Sequence, residues 1–443
     1  MTQDVRDVVR EGAMSRFQVI AVTVCMAINA LDGFDVLSIA FTGPRIAKEW
    51  MLAPTELGLL FSAGLAGMML GALLLSPLAD LIGRRFLVLL GLIVITAGMA
   101  LSGLARGLEE LAILRVFTGL GIGSLLSSIN TIVMEYASRR RKDFAVAFMS
   151  VGYPIGATIG GTIAVFLIAD FGWRSVFFFG ASLSAALIPI VLVTLPESLD
   201  FLLVKRRSNA LAQVNALLQR MGRAELTELP PPNSAQTGTR GALAGFDKAF
   251  FWRTLPICTA YFLTMLPFYF MLNWTPKVLV DEGLSLSTGI SGAVIMNGAG
   301  VIGGLLFGAV ASRLGLRTLT SVFMVLFFGS IAGFGAAGTT LPLLWALAAA
   351  VGFFMIGVIS GLYAVIGAMY PVRVRNTGTG LALGIGRLGA VAGPYLGGVL
   401  IAAGWSRPVY CAVLAAPLLI AALVIRRVPL LDGKTEAPAP GSG

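Results

Sequence analysis

The sequence Leu31-Asp32-Gly33-Phe34-Asp35 places two carboxylates inside the first long apolar segment of this chain, residues 17–40. A carboxylate near the centre of a bilayer costs about 2.5 kcal/mol or more. The two aspartates are three residues apart, so they share one face of a helix. Such acids typically line a water-filled path for protons, ions or polar substrates. The alternative is that they lie at a helix end and extend into the membrane surface, but the apolar residues 36–41 that follow favour the first interpretation.

The composition excludes an ordinary soluble protein. Of the 443 residues, 57% are hydrophobic and 12% are charged, whereas a soluble domain has roughly 25% charged residues. The net charge of +10 does not indicate a nucleic-acid partner, because the basic residues lie in the loops between apolar segments. The chain has no histidine, and its three cysteines have no paired spacing. The sequence therefore predicts neither a cofactor nor a metal site, and proton transfer would depend on carboxylates.

Twelve apolar segments are long enough to cross a hydrocarbon core of about 30 Å. They predict an all-α polytopic membrane protein with two six-helix bundles at 17–195 and 251–427, joined by a cytoplasmic linker at 196–250. The tails at 1–16 and 428–443 are expected to be cytoplasmic. The first segment is too long for a signal peptide and is expected to remain as an anchor. The twelve segments are 17–40, 56–78, 86–105, 111–136, 144–169, 174–195, 251–274, 288–311, 317–338, 342–369, 378–402 and 406–425.

Lysine and arginine set the predicted orientation. Most of the 32 basic residues fall on one side if both termini are cytoplasmic, as the positive-inside rule requires. The expected location is a bacterial-type plasma (inner) membrane. Within the linker, residues 209–221 have a helical pattern, and the segment around 230–232 is rich in proline and is expected to be disordered.

The two halves of the chain repeat. Gly83-Arg84-Arg85 matches Gly315-Leu316-Arg317, Gly160-Gly161 matches Gly397-Gly398, and Tyr136 matches Tyr370. Single matches of this kind occur by chance, but three in order at nearly one offset favour a parallel repeat. Parallel repeats with a site at their interface are typical of alternating-access carriers.

Several motifs resemble those of the major facilitator superfamily. The loop after segment 2 reads Ser76-Pro77-Leu78-Ala79-Asp80-Leu81-Ile82-Gly83-Arg84-Arg85, which has Asp80, Gly83 and Arg84 of the family pattern but Ser76 for glycine at its start. Segment 4 carries Arg115 followed by glycines at 119, 121 and 123, and Pro196-Glu197-Ser198 follows segment 6. The resemblance implies the twelve-helix major facilitator fold, with two pseudo-symmetric six-helix bundles. Asp80, Gly83, Arg84 and Arg115 of these motifs are candidate gating residues. Glu135, which precedes Tyr136 and the basic residues 139–142, is expected to join the same gate, and the alternative is that it solvates a helix end.

Asp32-Gly33-Phe34-Asp35 is also similar to the D-G-[FY]-D motif of the aromatic acid:proton symporter family. Asn273-Trp274 and the stretch from Tyr370 to Gly398 resemble that family too. Its members take up benzoate, hydroxybenzoates and related acids. Tyr363 stands in a stretch where several members carry polar amides, so the resemblance does not specify the acid.

Arg387 lies about ten residues into segment 11, which places it about 15 Å deep and near the midplane. It is expected either to bind the substrate carboxylate or to act as the countercharge of Asp32 or Asp35, the expected proton-coupling acids. The alternative is a purely structural ion pair between the two halves. Arg115 lies about one turn into segment 4 and could instead extend to the membrane surface. Candidate substrate-binding residues besides Arg387 are Asn130, Tyr153, Asn273, Trp274 and Tyr363, although tyrosine and tryptophan are also common interface anchors.

The favoured interpretation is a monomeric importer that couples uptake of an aromatic carboxylate to the proton gradient. The alternative is a proton-antiporting exporter of small amphipathic compounds on the same fold. A transporter-like sensor is disfavoured because the linker and tail offer no output domain. No nucleophile is paired with a base, so an enzyme is not expected.

Overall fold

A computed structural model gives the positions of residues 5–206, 209–229, 248–370 and 372–428. Within them, twelve helices are long and apolar enough to cross a membrane, and they correspond one to one with the predicted segments. The twelve are α1 (Arg16–Glu49), α2 (Pro54–Ile82), α3 (Arg84–Ser102), α4 (Leu108–Tyr136), α5 (Lys142–Phe171), α6 (Arg174–Thr194), α7 (Lys248–Asp281), α8 (Leu286–Leu314), α9 (Leu316–Ala336), α10 (Leu341–Met369), α11 (Val372–Ala402) and α12 (Arg407–Arg426).

The first helix differs most from its predicted bounds. It begins after a capping box, in which the Ser15 hydroxyl accepts from the Gln18 N–H and the Gln18 side chain accepts from the Ser15 N–H. It continues to Glu49, well beyond the predicted end at residue 40, and Pro44 lies inside it. Proline removes only one helical hydrogen bond, and residues 43–44 are buried in packing. Tertiary contacts therefore override the low helix propensity of this stretch.

The structure divides into two compact units, of which the first comprises residues 1–236 and 273–294. In this unit α1 packs on α5 and α6, α2 packs on α4, and α3 packs on α4 and α6. The core is apolar and closely packed, and it includes the fully buried side chains of Phe41, Phe61, Phe177 and Trp274. These packed pairs hold the acids of α1 against α4 and α5.

The second unit comprises residues 237–272 and 295–443. Here α9 packs on α10 and on α12. This pairing repeats the packing of α3 on α4 and α6 in the first unit, as the internal repeat predicts.

Two short helices lie in the linker, Leu199–Lys205 and Ala210–Arg220. The second confirms the helical pattern predicted at 209–221. The proline-rich part of the linker around 230–232, and the tail beyond Val428, lie outside the described residues.

Candidate functional site

The two aspartates of α1 are buried side chains in the middle of a helix. Asp32 is 7% exposed and Asp35 is 2% exposed. Since α1 continues to Glu49, the alternative that these acids lie at a helix end is wrong.

Asp35 is paired with Arg115 of α4. The Arg115 Nη1 donates to Asp35 Oδ1 at 3.3 Å, and Arg115 itself is 3% exposed. The Nη2 of the same guanidinium donates to the hydroxyls of Ser102 (2.7 Å) and Thr118 (3.0 Å), and its carbon lies 4.8 Å from the centre of the Phe177 ring. The alternative in which Arg115 extends to the membrane surface is therefore wrong, because α1, α3, α4 and α6 enclose it.

A small cavity adjoins this ion pair. Its volume is about 20 Å³, and Asp35, Phe61 and Arg115 are among its lining residues. This is room for about one water molecule. Two buried atoms of the pair, Asp35 Oδ2 and Arg115 Nε, have no hydrogen-bond partner among the described residues. A carboxylate oxygen in this position can accept a proton without first losing another hydrogen bond.

Gly33, between the two aspartates, lets α1 touch the backbone of α5. A Cβ atom at this position would lie 2.0 Å from the carbonyl oxygen of Tyr153. Gly33 therefore permits a close approach of the two helices. The structure also places Tyr153, half-buried, next to the aspartates along α1.

Asn29 stabilises the same contact between α1 and α5, and sequence reasoning did not identify it as a site residue. Its Nδ2 donates to the carbonyl of Met149 at 2.8 Å and lies 3.4 Å from that of Ser150. Pro154 has no N–H to give the Ser150 carbonyl its usual helical bond. The available signal was a polar residue three positions before Asp32, on the same face, combined with a proline inside a partner helix.

Trp274 and Phe61 extend the site within the first unit. Trp274 is 1% exposed, and its ring meets the Phe61 ring edge to face at 5.4 Å between centres. Phe61 also lines the Asp35 cavity. Trp274 is therefore not an interface anchor, and Phe61 is a residue that sequence reasoning missed. Asn273 is also buried, and Asn130 has a buried Oδ1 without a hydrogen-bond partner in the described part of the chain.

In the second unit, Arg387 of α11 lies near Tyr261. Gly386 allows this, since a Cβ there would lie 2.3 Å from the Tyr261 ring. Tyr261 meets Tyr363 edge to face at 6.2 Å and interacts electrostatically with Arg387. Tyr363 is 48% exposed. Sequence reasoning missed Tyr261, because nothing in its local sequence indicates which helix it meets.

The part of the second unit that the structure describes holds no acid to pair with Arg387. Between Asp247 and Asp432 the only acidic residues are Asp281 and Glu282, and both belong to the first unit. Arg387 is half-buried and makes no ion pair within the described residues of its unit. A cation in this situation is suited to receive an anion from outside the chain.

A polar cluster closes the end of the first unit from which the linker leaves, called here the linker end. Glu135 is buried and accepts from Arg84, from the Ser198 hydroxyl at 2.9 Å and from the Leu199 N–H at 2.8 Å. Asp80 lies 3.7 Å from Arg84, but 78% of its side chain is exposed. Of the predicted gating residues, Arg84 and Glu135 thus form the core of this cluster and Asp80 lies at its edge.

The Pro196-Glu197-Ser198 element docks on the loop after α2. Glu197 Oε1 accepts from the N–H of Arg84 at 2.8 Å and of Arg85 at 3.2 Å. Gly83, with φ +109°, is required here, because a Cβ would lie 2.4 Å from Glu197 Oε2. The Tyr136 hydroxyl donates to the Glu197 carbonyl at 2.6 Å. The sequence identified this element as a motif but not as the partner of Gly83.

Tyr370 occupies the position in the second unit that Tyr136 occupies in the first. Its hydroxyl donates to the Thr254 hydroxyl at 2.8 Å. Burial raises the pKa of the Tyr370 hydroxyl to about 12, so it remains a hydrogen-bond donor at neutral pH.

Comparisons with known proteins agree with this architecture. A sequence model described as the Major Facilitator Superfamily matches residues 24–340 and 295–442. The gallate transporter of Pseudomonas putida is 30% identical over 431 residues, covering 95% of this chain and 94% of that protein. The 4-hydroxybenzoate transporter PcaK of Acinetobacter baylyi is 30% identical over 430 residues, covering 95% and 93%.

The same fold is found in a solved structure. The inward-open xylose transporter XylE from Escherichia coli superimposes with a TM-score of 0.73 at 16% identity, covering 93% of this chain and 97% of that one. The predicted twelve-helix major facilitator fold and the prediction of a transporter rather than an enzyme are both confirmed.

Proposed function

Since this chain belongs to the Major Facilitator Superfamily, we propose that it imports an aromatic carboxylate of the benzoate and hydroxybenzoate class together with protons. Relatives named as gallate and 4-hydroxybenzoate transporters match nearly the whole chain. The observation that carries the proposal is Arg387, a half-buried cation in a unit without a described acid. An aromatic carboxylate supplies the missing negative charge, and a guanidinium can bind it through two parallel hydrogen bonds.

The aromatic ring of the substrate would lie beside Arg387, on Tyr261 and Tyr363. These two rings already meet edge to face, and a planar substrate can add to such an arrangement by offset stacking or by edge contacts. The half-exposed ring of Tyr363 offers the accessible surface. Roles for Asn130, Tyr153, Asn273 and Trp274 in substrate binding stay predictions.

Proton coupling would use the α1 acids. A proton on Asp35 would neutralise the partner of Arg115, while Arg115 would stay attached to Ser102 and Thr118. Protonation would then weaken the link between α1 and α4 without releasing the arginine, so α1 could move. Asp32, on the same face one turn earlier, would be the second site for a proton.

The conformational step would be alternating access, with the cluster around Arg84 and Glu135 holding the linker end closed in one state. In this proposal the linker and both termini are cytoplasmic, and a monomer works in the plasma (inner) membrane. The energy comes from the proton gradient alone, without a bound cofactor.

Right-side-out vesicles test this function. Labelled 4-hydroxybenzoate and gallate should accumulate when the outside is made acidic, uptake should rise as the outside pH falls, and an uncoupler should abolish accumulation. Asp32→Asn or Asp35→Asn should reduce accumulation and flatten its pH dependence. Uptake with unchanged pH dependence in both variants would disprove the assignment of the acids. Proton-driven expulsion of the labelled acid would establish the exporter instead.

A further inference from the structure

A second cavity, separate from the α1 acids, lies at the linker end of the first unit. Its volume is about 330 Å³, at the lower end of the range for small-molecule sites. It is bounded by the start of α3, the segment that follows α6, and the two linker helices. The substrate and proton roles proposed above do not use it.

Three cations line this cavity: Arg85 from α3, Lys205 from the first linker helix and Arg220 from the second. The one acid in the lining, Glu197, has its Oε1 engaged by the N–H groups of Arg84, Arg85 and Ser198. The cavity is therefore positively charged. Its remaining lining is largely apolar and includes Ile82 and Phe201.

Two of the cations are held in place by the end of α6. The Arg85 Nη2 donates to the carbonyl of Leu192, and the Arg220 Nη2 donates to that of Val193 at 3.2 Å. The Nε of Arg85 is buried and has no hydrogen-bond partner among the residues whose positions are described. The guanidinium groups are thus oriented at the last turn of α6, which ends at Thr194.

Exposed apolar side chains adjoin these cations. Phe86 follows Arg85 in α3, and Leu192 and Val193 supply the carbonyls that bind the two arginines; all three side chains are exposed. Such a combination suits a ligand with an anionic head and apolar chains. A soluble phosphate would use the cations but would leave the apolar surface without a function.

We propose that this cavity binds the headgroup of an anionic phospholipid. The phosphate would lie among Arg85, Lys205 and Arg220, and the acyl chains would lie along Phe86, Leu192 and Val193. Basic pockets at the ends of membrane helices are suited to such headgroups. The N–H of Arg85 also donates to Glu197. The bound lipid would therefore hold the two linker helices against the start of α3, where Arg84 contacts Glu135.

Native mass spectrometry of the detergent-solubilised full chain, titrated with dioleoyl phosphatidylglycerol, tests this site. Each basic residue near an anionic lipid surface contributes about 1 kcal/mol, so the affinity should fall about five-fold per cation removed and about 25-fold in Lys205→Gln/Arg220→Gln. The matched control is Arg139→Gln/Arg140→Gln, which removes two exposed cations that follow α4 and do not line the cavity. Equal losses in the two double variants would overturn the site.

A charge-conserving pair and two further ligands complete the test. Lys205→Arg/Arg220→Lys should bind phosphatidylglycerol within about three-fold of the unmodified chain, which separates loss of charge from misfolding. Dioleoyl phosphatidylcholine should bind more weakly than phosphatidylglycerol. Inorganic phosphate that displaces phosphatidylglycerol at equal concentration would overturn the lipid assignment in favour of a soluble phosphate.

Discussion

In the first unit the buried arginine, Arg115, has a carboxylate beside it, whereas in the second unit Arg387 has none among the described residues. We therefore expect different roles for these two arginines. A pair made within the chain can be broken by a proton, because the proton neutralises Asp35. A buried arginine without a neighbouring acid can be neutralised only by an anion from outside its unit. The proposed function therefore places proton transfer in the first unit and anion binding in the second, and these two hypotheses can be tested separately.

The largest effect is expected at Arg387. Arg387→Gln removes the cation proposed to bind the substrate carboxylate, and truncating one partner of a buried charge pair costs about 2–5 kcal/mol. The dissociation constant for labelled 4-hydroxybenzoate should therefore rise by about 30-fold or more, as measured by equilibrium binding to purified protein. Arg387→Lys should retain part of the affinity, since it keeps the charge but loses the planar fork.

Arg313 provides the matched control for this experiment. It is an exposed arginine of the same unit, so Arg313→Gln should leave the dissociation constant within about two-fold of the unmodified protein. If Arg387→Gln behaved like Arg313→Gln, the contrast between the two units would fail.

The Asp35–Arg115 pair is expected to show strong coupling in a double-mutant cycle. Arg115→Gln leaves a buried carboxylate without its cation, and such a loss costs about 3–5 kcal/mol. Asp35→Asn/Arg115→Gln removes both charges and should be less destabilising than Arg115→Gln alone. Thermal denaturation of the purified variants measures this order. Additive effects of Asp35→Asn and Arg115→Gln would show that these two side chains do not stabilise each other.

Gly33→Ala tests whether the acids are positioned by contact with α5. The added methyl group would lie 2.0 Å from the Tyr153 carbonyl oxygen, and overpacking of this kind costs about 1–3 kcal/mol. The melting temperature should fall. Gly329→Ala in α9 is the control, because a Cβ there meets nothing within 4 Å, and it should be neutral or slightly stabilising. Equal behaviour of the two variants would mean that α1 and α5 do not touch at Gly33.

The sequence was sufficient to predict the twelve helices, because twenty apolar residues in water have no alternative to a membrane or a core. It was also sufficient to identify Asp32, Asp35, Arg115 and Arg387 as charged residues within apolar segments, and the absence of acidic residues between positions 283 and 431 can be read directly from it. The end of α1 was predicted too early, because the packing of Gly43 and Pro44 outweighs their helix propensity.

The partners of these residues could not be predicted, because they depend on which helices pack together. Asn29 meets Met149 and Arg115 meets Asp35, contacts that span 120 and 80 residues of sequence. Glu197 was recognisable as part of a motif, but its place against Gly83 follows from the way α6 returns to the loop after α2. A single sequence has no local signal for such pairings.

The smallest effects are expected at the linker end, where two acids surround one arginine. Glu135 is buried and accepts three hydrogen bonds, so Glu135→Gln should lower the free energy of unfolding by about 1–3 kcal/mol. Asp80 is mostly exposed, and an exposed ion pair contributes about 0–1 kcal/mol; Asp80→Asn should therefore leave the melting temperature almost unchanged. Thermal denaturation of both variants in one detergent ranks them. A larger loss in Asp80→Asn than in Glu135→Gln would mean that solvent exposure does not determine how much each acid around Arg84 contributes to stability.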